Sequence, residues 1–175
     1  VAVLPLHGRD NHLKVTVDDL RRNLDNRPHT RLFLLNNPCN PTAQLYSAEE
    51  VADLAHTCAE YGVFFVLDRL YWRIMFDGAA YPEPPIDERT KPWLIQVDGL
   101  SKNFRRTGGM RIGWVVAPDD VADAMVNLQS HYTSGPGVPE QVAAAAAIDR
   151  PYDTSMVDEL QRKRDALHAE AADLP

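Results

Sequence analysis

Short apolar runs alternate with segments of helical periodicity along most of the chain. The runs RLFLLNN (31–37) and VFFVLD (63–68) are too short for helices and rich in β-forming residues. The second is apolar throughout, which is typical of a strand in a parallel sheet that helices cover on both faces. We predict buried strands at both places, and two further strands at 93–98 and 111–118.

The segments between these runs have the spacing of amphipathic helices. Within 47–62, apolar residues recur at i, i+3, i+4 and i+7 and so form one stripe: Val51, Leu54, Ala55 and Cys58. Ser47 and Glu50 have the spacing of a capping box, and Gly62 suits the position just past the helix end. Further helices are predicted at 16–24, 119–132, 138–148 and 155–174. The helix at 119–132 has its own apolar stripe: Val121, Ala124, Met125 and Leu128.

The order of these elements predicts the fold class. Strands and helices alternate, residues 1–6 form a candidate first strand, and a proline-rich loop occupies 81–93. This βαβα order predicts an α/β protein with a doubly wound, mostly parallel sheet between two helical layers. A chain of 175 residues is long enough for one domain with a sizeable core.

Charge and composition narrow the possible partners. The net charge of −7 argues against nucleic acid as the main partner, because a protein that binds the phosphate backbone needs a basic face. No apolar stretch is long enough to span a membrane, so no membrane partner is predicted. Two cysteines do not make a disulfide framework and fit a cytoplasmic protein. The six histidines show no metal-ligand spacing, so we predict no metal site.

Polar side chains follow three of the predicted strands at the points where the strands end. Asn40 comes shortly after the strand at 31–37, Asp68 ends the strand at 63–68, and Lys102 follows the strand at 93–98. In open α/β sheets, ligands collect at the carboxyl ends of the strands. We therefore expect an amide, a carboxylate and an amine to converge on one crevice.

Three motifs carry a resemblance to a known family. NNPCNPT (36–42), VLDRLY (66–71) and GLSKNFRRTGGMRIG (99–113) occur in this order, each at a predicted strand end. Together they resemble the fold-type I pyridoxal 5′-phosphate (PLP) dependent aminotransferases of class I/II. The resemblance implies that residues 1–150 form the central part of the PLP-binding large domain. Residues 151–175 would begin the interdomain helix that leads to a small domain.

The resemblance implies catalytic roles for three residues. Lys102 would form a Schiff base with the PLP aldehyde and move a proton at the substrate α-carbon. Asp68 would pair with the pyridine nitrogen and keep the ring an electron sink. Tyr71, together with Asn40, would hydrogen-bond the 3-hydroxyl of the ring.

The same resemblance implies a phosphate site around Ser101 and Arg111. Arg111 would clamp the phosphate through its planar fork of donors, and Ser101 would add a hydroxyl. Arg111 follows Lys102 by nine residues, one more than the commonest family spacing, so Arg105 and Arg106 are alternative clamps. Gly99 stands where the family often has serine, and Ala43 stands where it usually has glycine.

The implied activity is transfer of an amino group between an amino acid and a 2-oxo acid, in a homodimer. The same scaffold also hosts β-lyases, decarboxylases, cyclases and amino-acid oxidases, and fold alone does not choose among them. A PLP-sensing domain of a transcription regulator is a further alternative, which an upstream winged-helix segment would favour. The first residue is valine and the last segment reads as helix, so we expect a fragment that does not turn over substrate alone.

Overall fold

The computed structural model of the protein describes residues 12–104 and 107–172. Six helices have these bounds: α1 Val17–Asn26, α2 Ala48–Glu60, α3 Leu100–Asn103, α4 Asp119–Tyr132, α5 Val138–Ile148 and α6 Ser155–Ala171. Four strands have these bounds: β1 Leu32–Asn36, β2 Phe64–Asp68, β3 Leu94–Gly99 and β4 Gly113–Val116. Single 3₁₀ turns lie at Lys91–Trp93 and Gly108–Met110. The predicted strand at 1–6 lies outside the described residues.

The four strands form one sheet in the order β1-β2-β3-β4. The first three are parallel, and β4 runs antiparallel to β3. Asn36 pairs with Asp68, and Asp68 pairs with Val97, so β1, β2 and β3 end at the same edge of the sheet. The predicted α/β class with a mostly parallel sheet is confirmed, and the shared edge puts the polar residues that follow each strand side by side.

The core lies between the sheet and the helices α1 and α2. Its buried apolar side chains come from these two helices, the strands β1 to β3 and the segments beside them: Val15, Leu20, Leu24, Phe33, Leu35, Tyr46, Val51, Leu54, Ala55, Cys58, Val63, Phe65, Leu67 and Leu94. Phe33 and Phe65 stack across β1 and β2 with ring centroids 5.7 Å apart. Full burial of one such side chain contributes about 1.5–3 kcal/mol, so this cluster is the main stabilising element of the described residues.

Both core helices begin with a capping box. In α2 the Ser47 hydroxyl accepts from the Glu50 amide, and the Glu50 carboxylate accepts from the Ser47 amide, as predicted. Thr16 and Asp19 do the same for α1. Gly62 has φ +64° beyond the end of α2, a backbone conformation that glycine adopts without steric cost. Both predicted signals of α2 are therefore confirmed.

The strand predicted at 63–68 is buried at its three central residues, whereas the strand predicted as buried at 31–37 is buried on one face only. β4, predicted only as a strand, is exposed along its length. Leu32 and Leu34 of β1 are 50% and 59% exposed, and Val116 of β4 is 62% exposed. Helices α1 and α2 cover only one face of β1, and none of the described helices covers the other. The stripe predicted on 119–132 likewise has no buried member against the described residues. None of the described helices is long and apolar enough to cross a membrane.

Candidate active site

The end of β1 is tied to the loop after β2 through two amide side chains. The Asn36 side-chain oxygen accepts from the backbone N–H of Asn40 at 2.6 Å. The Asn40 side-chain amide then donates to the Tyr71 hydroxyl at 3.0 Å. Two of the predicted site residues, 31 positions apart in the chain, are thus in direct contact.

Asp68 occupies the last position of β2, at the edge where the three parallel strands end. One carboxylate oxygen accepts from the Leu70 backbone N–H at 3.0 Å, which turns the chain toward Tyr71. The Asp68 backbone carbonyl accepts from the Asn37 N–H at 2.9 Å. The Asp68 residue is partly exposed at this edge.

Lys102 lies on α3, a single helical turn that follows β3 directly, and its side chain is exposed. Gly99 lies just before this turn, at a point where two backbone segments approach each other closely. A Cβ at Gly99 would lie 3.0 Å from the Ile112 carbonyl oxygen and 3.2 Å from the Gly113 Cα. A side chain at this position would need the backbone at Ile112 and Gly113 to shift by a few tenths of an ångström, so glycine fits this close approach.

Arg111 folds back toward Ser101, although ten residues separate them. A terminal guanidinium nitrogen of Arg111 lies 3.5 Å from the Ser101 hydroxyl oxygen. The Thr107 hydroxyl, which sequence reasoning missed, lies 2.7 Å from the Leu100 carbonyl and 2.8 Å from the Phe104 carbonyl and folds the loop between them. The two predicted phosphate residues are therefore brought together, whereas the alternatives Arg105 and Arg106 lie outside the described residues.

A second polar cluster, also missed in the sequence, lies beside the Lys102 turn. One carboxylate oxygen of Asp98 accepts from Trp72 Nε1 at 2.7 Å. The other accepts from the Gly99 N–H and from the Asn103 side-chain amide, both at 2.7 Å. Burial raises the pKa of the Asp98 carboxyl, and these hydrogen bonds oppose that rise because they stabilise the carboxylate. The one local signal of this cluster in the sequence is an acidic residue at the end of a predicted strand.

The site thus offers a defined set of groups at one edge of the sheet. An amine, a carboxylate, a phenol and a carboxamide come from Lys102, Asp68, Tyr71 and Asn40, each beyond or at the end of a parallel strand. Across residues 12–104 and 107–172, no group of three or more His, Cys, Asp or Glu side chains could hold a metal ion. The arrangement suits an organic ligand with a carbonyl, a basic ring nitrogen and an anionic group.

The fold defines an α/β protein, and the polar side chains at the carboxyl ends of its parallel strands form a candidate ligand site. The family model for aminotransferase class I and II matches residues 2–174. The chain therefore belongs to the class I and II aminotransferases.

Three relatives illustrate the similarity. An aspartate aminotransferase of Geobacillus stearothermophilus is 35% identical over 142 residues, which are 81% of this chain and 35% of the relative. The solved aspartate aminotransferase of Rhizobium meliloti has a TM-score of 0.83 at 30% identity, over 91% of this chain and 40% of that one. The aromatic aminotransferase of Pyrococcus horikoshii has a TM-score of 0.84 at 26% identity, over 98% and 46%. The chain thus spans less than half the length of the relatives it matches.

Proposed function

We propose that the full-length protein containing this chain is a PLP-dependent aminotransferase that moves an amino group between an amino acid and a 2-oxo acid. Membership of the class I and II aminotransferases supports this activity. The observation that carries it is the contact between Asn40 and Tyr71 at the sheet edge that also bears Asp68 and Lys102. Four side chains from three successive strand ends share this edge, where α/β sheets bind ligands.

The chain's own residues fit the chemistry of PLP. An exposed Lys102 amine is accessible to an aldehyde, and the carboxylate of the partly exposed Asp68 can accept a hydrogen bond from a protonated ring nitrogen. The Asn40 amide and the Tyr71 hydroxyl, already hydrogen-bonded to each other, can both reach a phenolic oxygen. Ser101 and Arg111 together present a hydroxyl and a cationic fork of donors to a phosphate.

Bound PLP supplies an aldehyde for an amine and a ring that takes up electrons from the substrate. Asp68 would keep the pyridine nitrogen of the ring protonated, because a carboxylate beside that nitrogen would stabilise its positive charge. Lys102 Nζ carries the proton to and from the substrate α-carbon. Tyr71 and Asn40 orient the ring through its oxygen, and Arg111 fixes the phosphate end.

The proposal also includes the oligomeric state, the localisation and the domain organisation of the full-length protein. We propose a cytoplasmic homodimer, with residues 1–150 in the PLP-binding large domain and residues 151–175 in the helix toward a small domain. The rest of the protein or a second copy would cover the exposed apolar residues on β4, α4 and α5: Val115, Val116, Met125, Val126, Leu128, Tyr132, Val138 and Val142. Sedimentation of the full-length protein at micromolar concentration should give twice the monomer mass.

Covalent trapping tests the proposal. The full-length protein is incubated with PLP, reduced with borohydride, and digested for mass spectrometry. We expect a pyridoxyl adduct on Lys102 in the native protein and in the control Lys91→Ala, whose lysine lies at the opposite end of β3. Lys102→Ala should carry none. A folded native protein without this adduct would contradict the proposal and point to a binding or regulatory role.

Product analysis then separates the alternatives. A transaminase is identified if unreduced, PLP-loaded protein converts to the amine form with an amino acid and releases the matching 2-oxo acid. Release of ammonia, carbon dioxide or hydrogen peroxide instead would identify a β-lyase, a decarboxylase or an oxidase, and a cyclic product would identify a cyclase. A winged-helix segment upstream of Val1, with no turnover, would favour the transcription regulator.

A further inference from the structure

The turn that carries Tyr71 and the turn that carries Lys102 are joined by one carboxylate. Trp72, next to Tyr71, donates from its indole Nε1 to Asp98 at 2.7 Å. The opposite oxygen of Asp98 accepts from Gly99 N–H at the start of the Lys102 turn. A single side chain therefore contacts both turns, and Asp98 lies 26 positions after Trp72 in the chain.

Asn103 closes the same connection from the other end of the Lys102 turn. Its side chain is fully buried, donates to Asp98 at 2.7 Å, and accepts from the Arg73 backbone N–H at 3.2 Å. A buried amide that is satisfied on both sides has one favourable orientation, because the flipped orientation would leave donors facing donors. The Lys102 turn is thus held at Gly99 and at Asn103.

Trp72 is held in place by two cations. The guanidinium carbons of Arg69 and Arg73 lie 5.1 and 4.7 Å from the centre of its ring. A guanidinium over the face of an indole ring is attracted by the negative charge of that face. These two contacts hold the indole ring in the orientation in which its N–H points at Asp98.

We propose that Asp98 is a positioning residue that holds the Lys102 amine in register with the Tyr71 hydroxyl through Trp72 and Asn103. The catalytic role of this relative position of the Lys102 amine and the Tyr71 hydroxyl rests on the proposed function. The bridge itself is a property of the chain, so it can be tested with or without cofactor.

The donor set requires a carboxylate at this position. Asp98 receives three hydrogen-bond donors, from Trp72, Gly99 and Asn103, and an ionised carboxylate is an acceptor only. In Asp98→Asn the amide nitrogen that replaces one oxygen would face one of these donors. With Gly99 and Asn103 on the remaining oxygen, the amide would face Trp72 Nε1–H. Asp98→Asn and Trp72→Phe therefore remove the same link from opposite sides. Asp98→Asn keeps the side-chain size, and Trp72→Phe keeps an aromatic ring of smaller size.

Hydrogen exchange of the cofactor-free full-length protein tests the bridge. We expect Trp72→Phe and Asp98→Asn each to speed amide exchange about tenfold in both segments, 70–74 and 99–104, since each removes a hydrogen bond to a charged group. The double variant should be no faster than either single variant, because both remove one link. Trp93→Phe is the control, because Trp93 packs on Phe64 at the other end of the sheet. The inference would be overturned if exchange became faster in only one of the two segments. It would also be overturned if Trp93→Phe changed exchange in both segments as much as the two test variants do.

The PLP-loaded protein provides the second measurement. We expect kcat to fall about tenfold to a hundredfold in Trp72→Phe and Asp98→Asn, because small misplacements of reacting groups have effects of this size. KM should change less than threefold, and the pH midpoint of the cofactor absorbance at Lys102 should shift. A purely structural role would lower the melting temperature and leave that midpoint at the native value, which would overturn the inference. If the native protein forms no adduct at Lys102, the proposed function fails and hydrogen exchange alone decides the bridge.

Discussion

Helices α2 and α4 carry similar apolar stripes and have different surroundings. Six of the thirteen residues of α2 are buried, whereas α4, with fourteen residues, has none buried against the described chain. α2 has a side-chain cap at Ser47, while α4 follows Pro118 without a side-chain cap. An amphipathic pattern thus predicts that a helix forms and which face is apolar, and it does not predict what covers that face.

The largest predicted difference between α2 and α4 is in the loss of stability when one leucine of each helix is truncated to alanine. Leu54 is 1% exposed and Leu128 is 67% exposed. We expect Leu54→Ala to lower the free energy of unfolding by about 2–5 kcal/mol, because it leaves a cavity in a packed core. Leu128→Ala should change it by about 0.5 kcal/mol or less. Urea unfolding of this 175-residue chain, followed by circular dichroism, measures both.

The full-length protein gives this pair of variants a second use. If Leu128→Ala destabilises the full-length protein by several kcal/mol and leaves the chain unaffected, the α4 stripe is covered by another segment or subunit. Equal effects of Leu54→Ala and Leu128→Ala in the chain itself would contradict the difference between the two helices.

A smaller effect is expected from the helix caps. Ser47→Ala removes the hydroxyl that accepts from the Glu50 amide, and such caps are worth about 1 kcal/mol. Ser130→Ala in α4 is the matched control, because the Ser130 hydroxyl donates only to the Asn127 carbonyl on an exposed helix face. Thermal unfolding should show a lower melting temperature for the first variant. An equal loss in both would mean that the capping box contributes nothing specific.

The smallest effect should be the pH dependence that Glu50 adds to α2. Burial raises its pKa, but hydrogen bonds from Lys14 and from the Ser47 amide outweigh burial, and the net pKa is lowered. A depressed pKa contributes stability above the unfolded value, and this stability is lost as pH falls through the folded value. Glu50→Gln should therefore lose about 0.5 kcal/mol at pH 7 and less at pH 3. Asp120→Asn in the first turn of α4 is the control for urea midpoints at both pH values.

Periodicity and local signals predicted most of the regular structure. The spacing of Val51, Leu54 and Cys58, with Ser47 in front, defines α2 to within two residues at either end. Half-exposure of β1 could not be predicted, because an apolar run does not report whether a helix lies over each face. The antiparallel direction of β4 also depends on tertiary pairing, here Gly99 with Gly113, rather than on its own residues.

The candidate site also has features that the sequence predicts and contacts that it does not predict. Strand ends can be read from sequence, so Asp68 and Lys102 were placed at one edge by the parallel order alone. The contacts between Asn40 and Tyr71 and between Trp72 and Asp98 join residues 31 and 26 positions apart, and no local pattern encodes them. The catalytic roles of these residues stay predictions until the cofactor is trapped.

The backbone of Arg111 has a consequence for anyone who engineers this protein. Its φ of 52° and ψ of 42° place a residue with a Cβ in a left-handed conformation that costs about 1 kcal/mol. A stability-guided redesign would therefore select Arg111→Gly as a gain in melting temperature. That gain would remove the cation beside Ser101, so a thermostability screen without a cofactor-retention assay would enrich variants that lack one of the two proposed phosphate ligands.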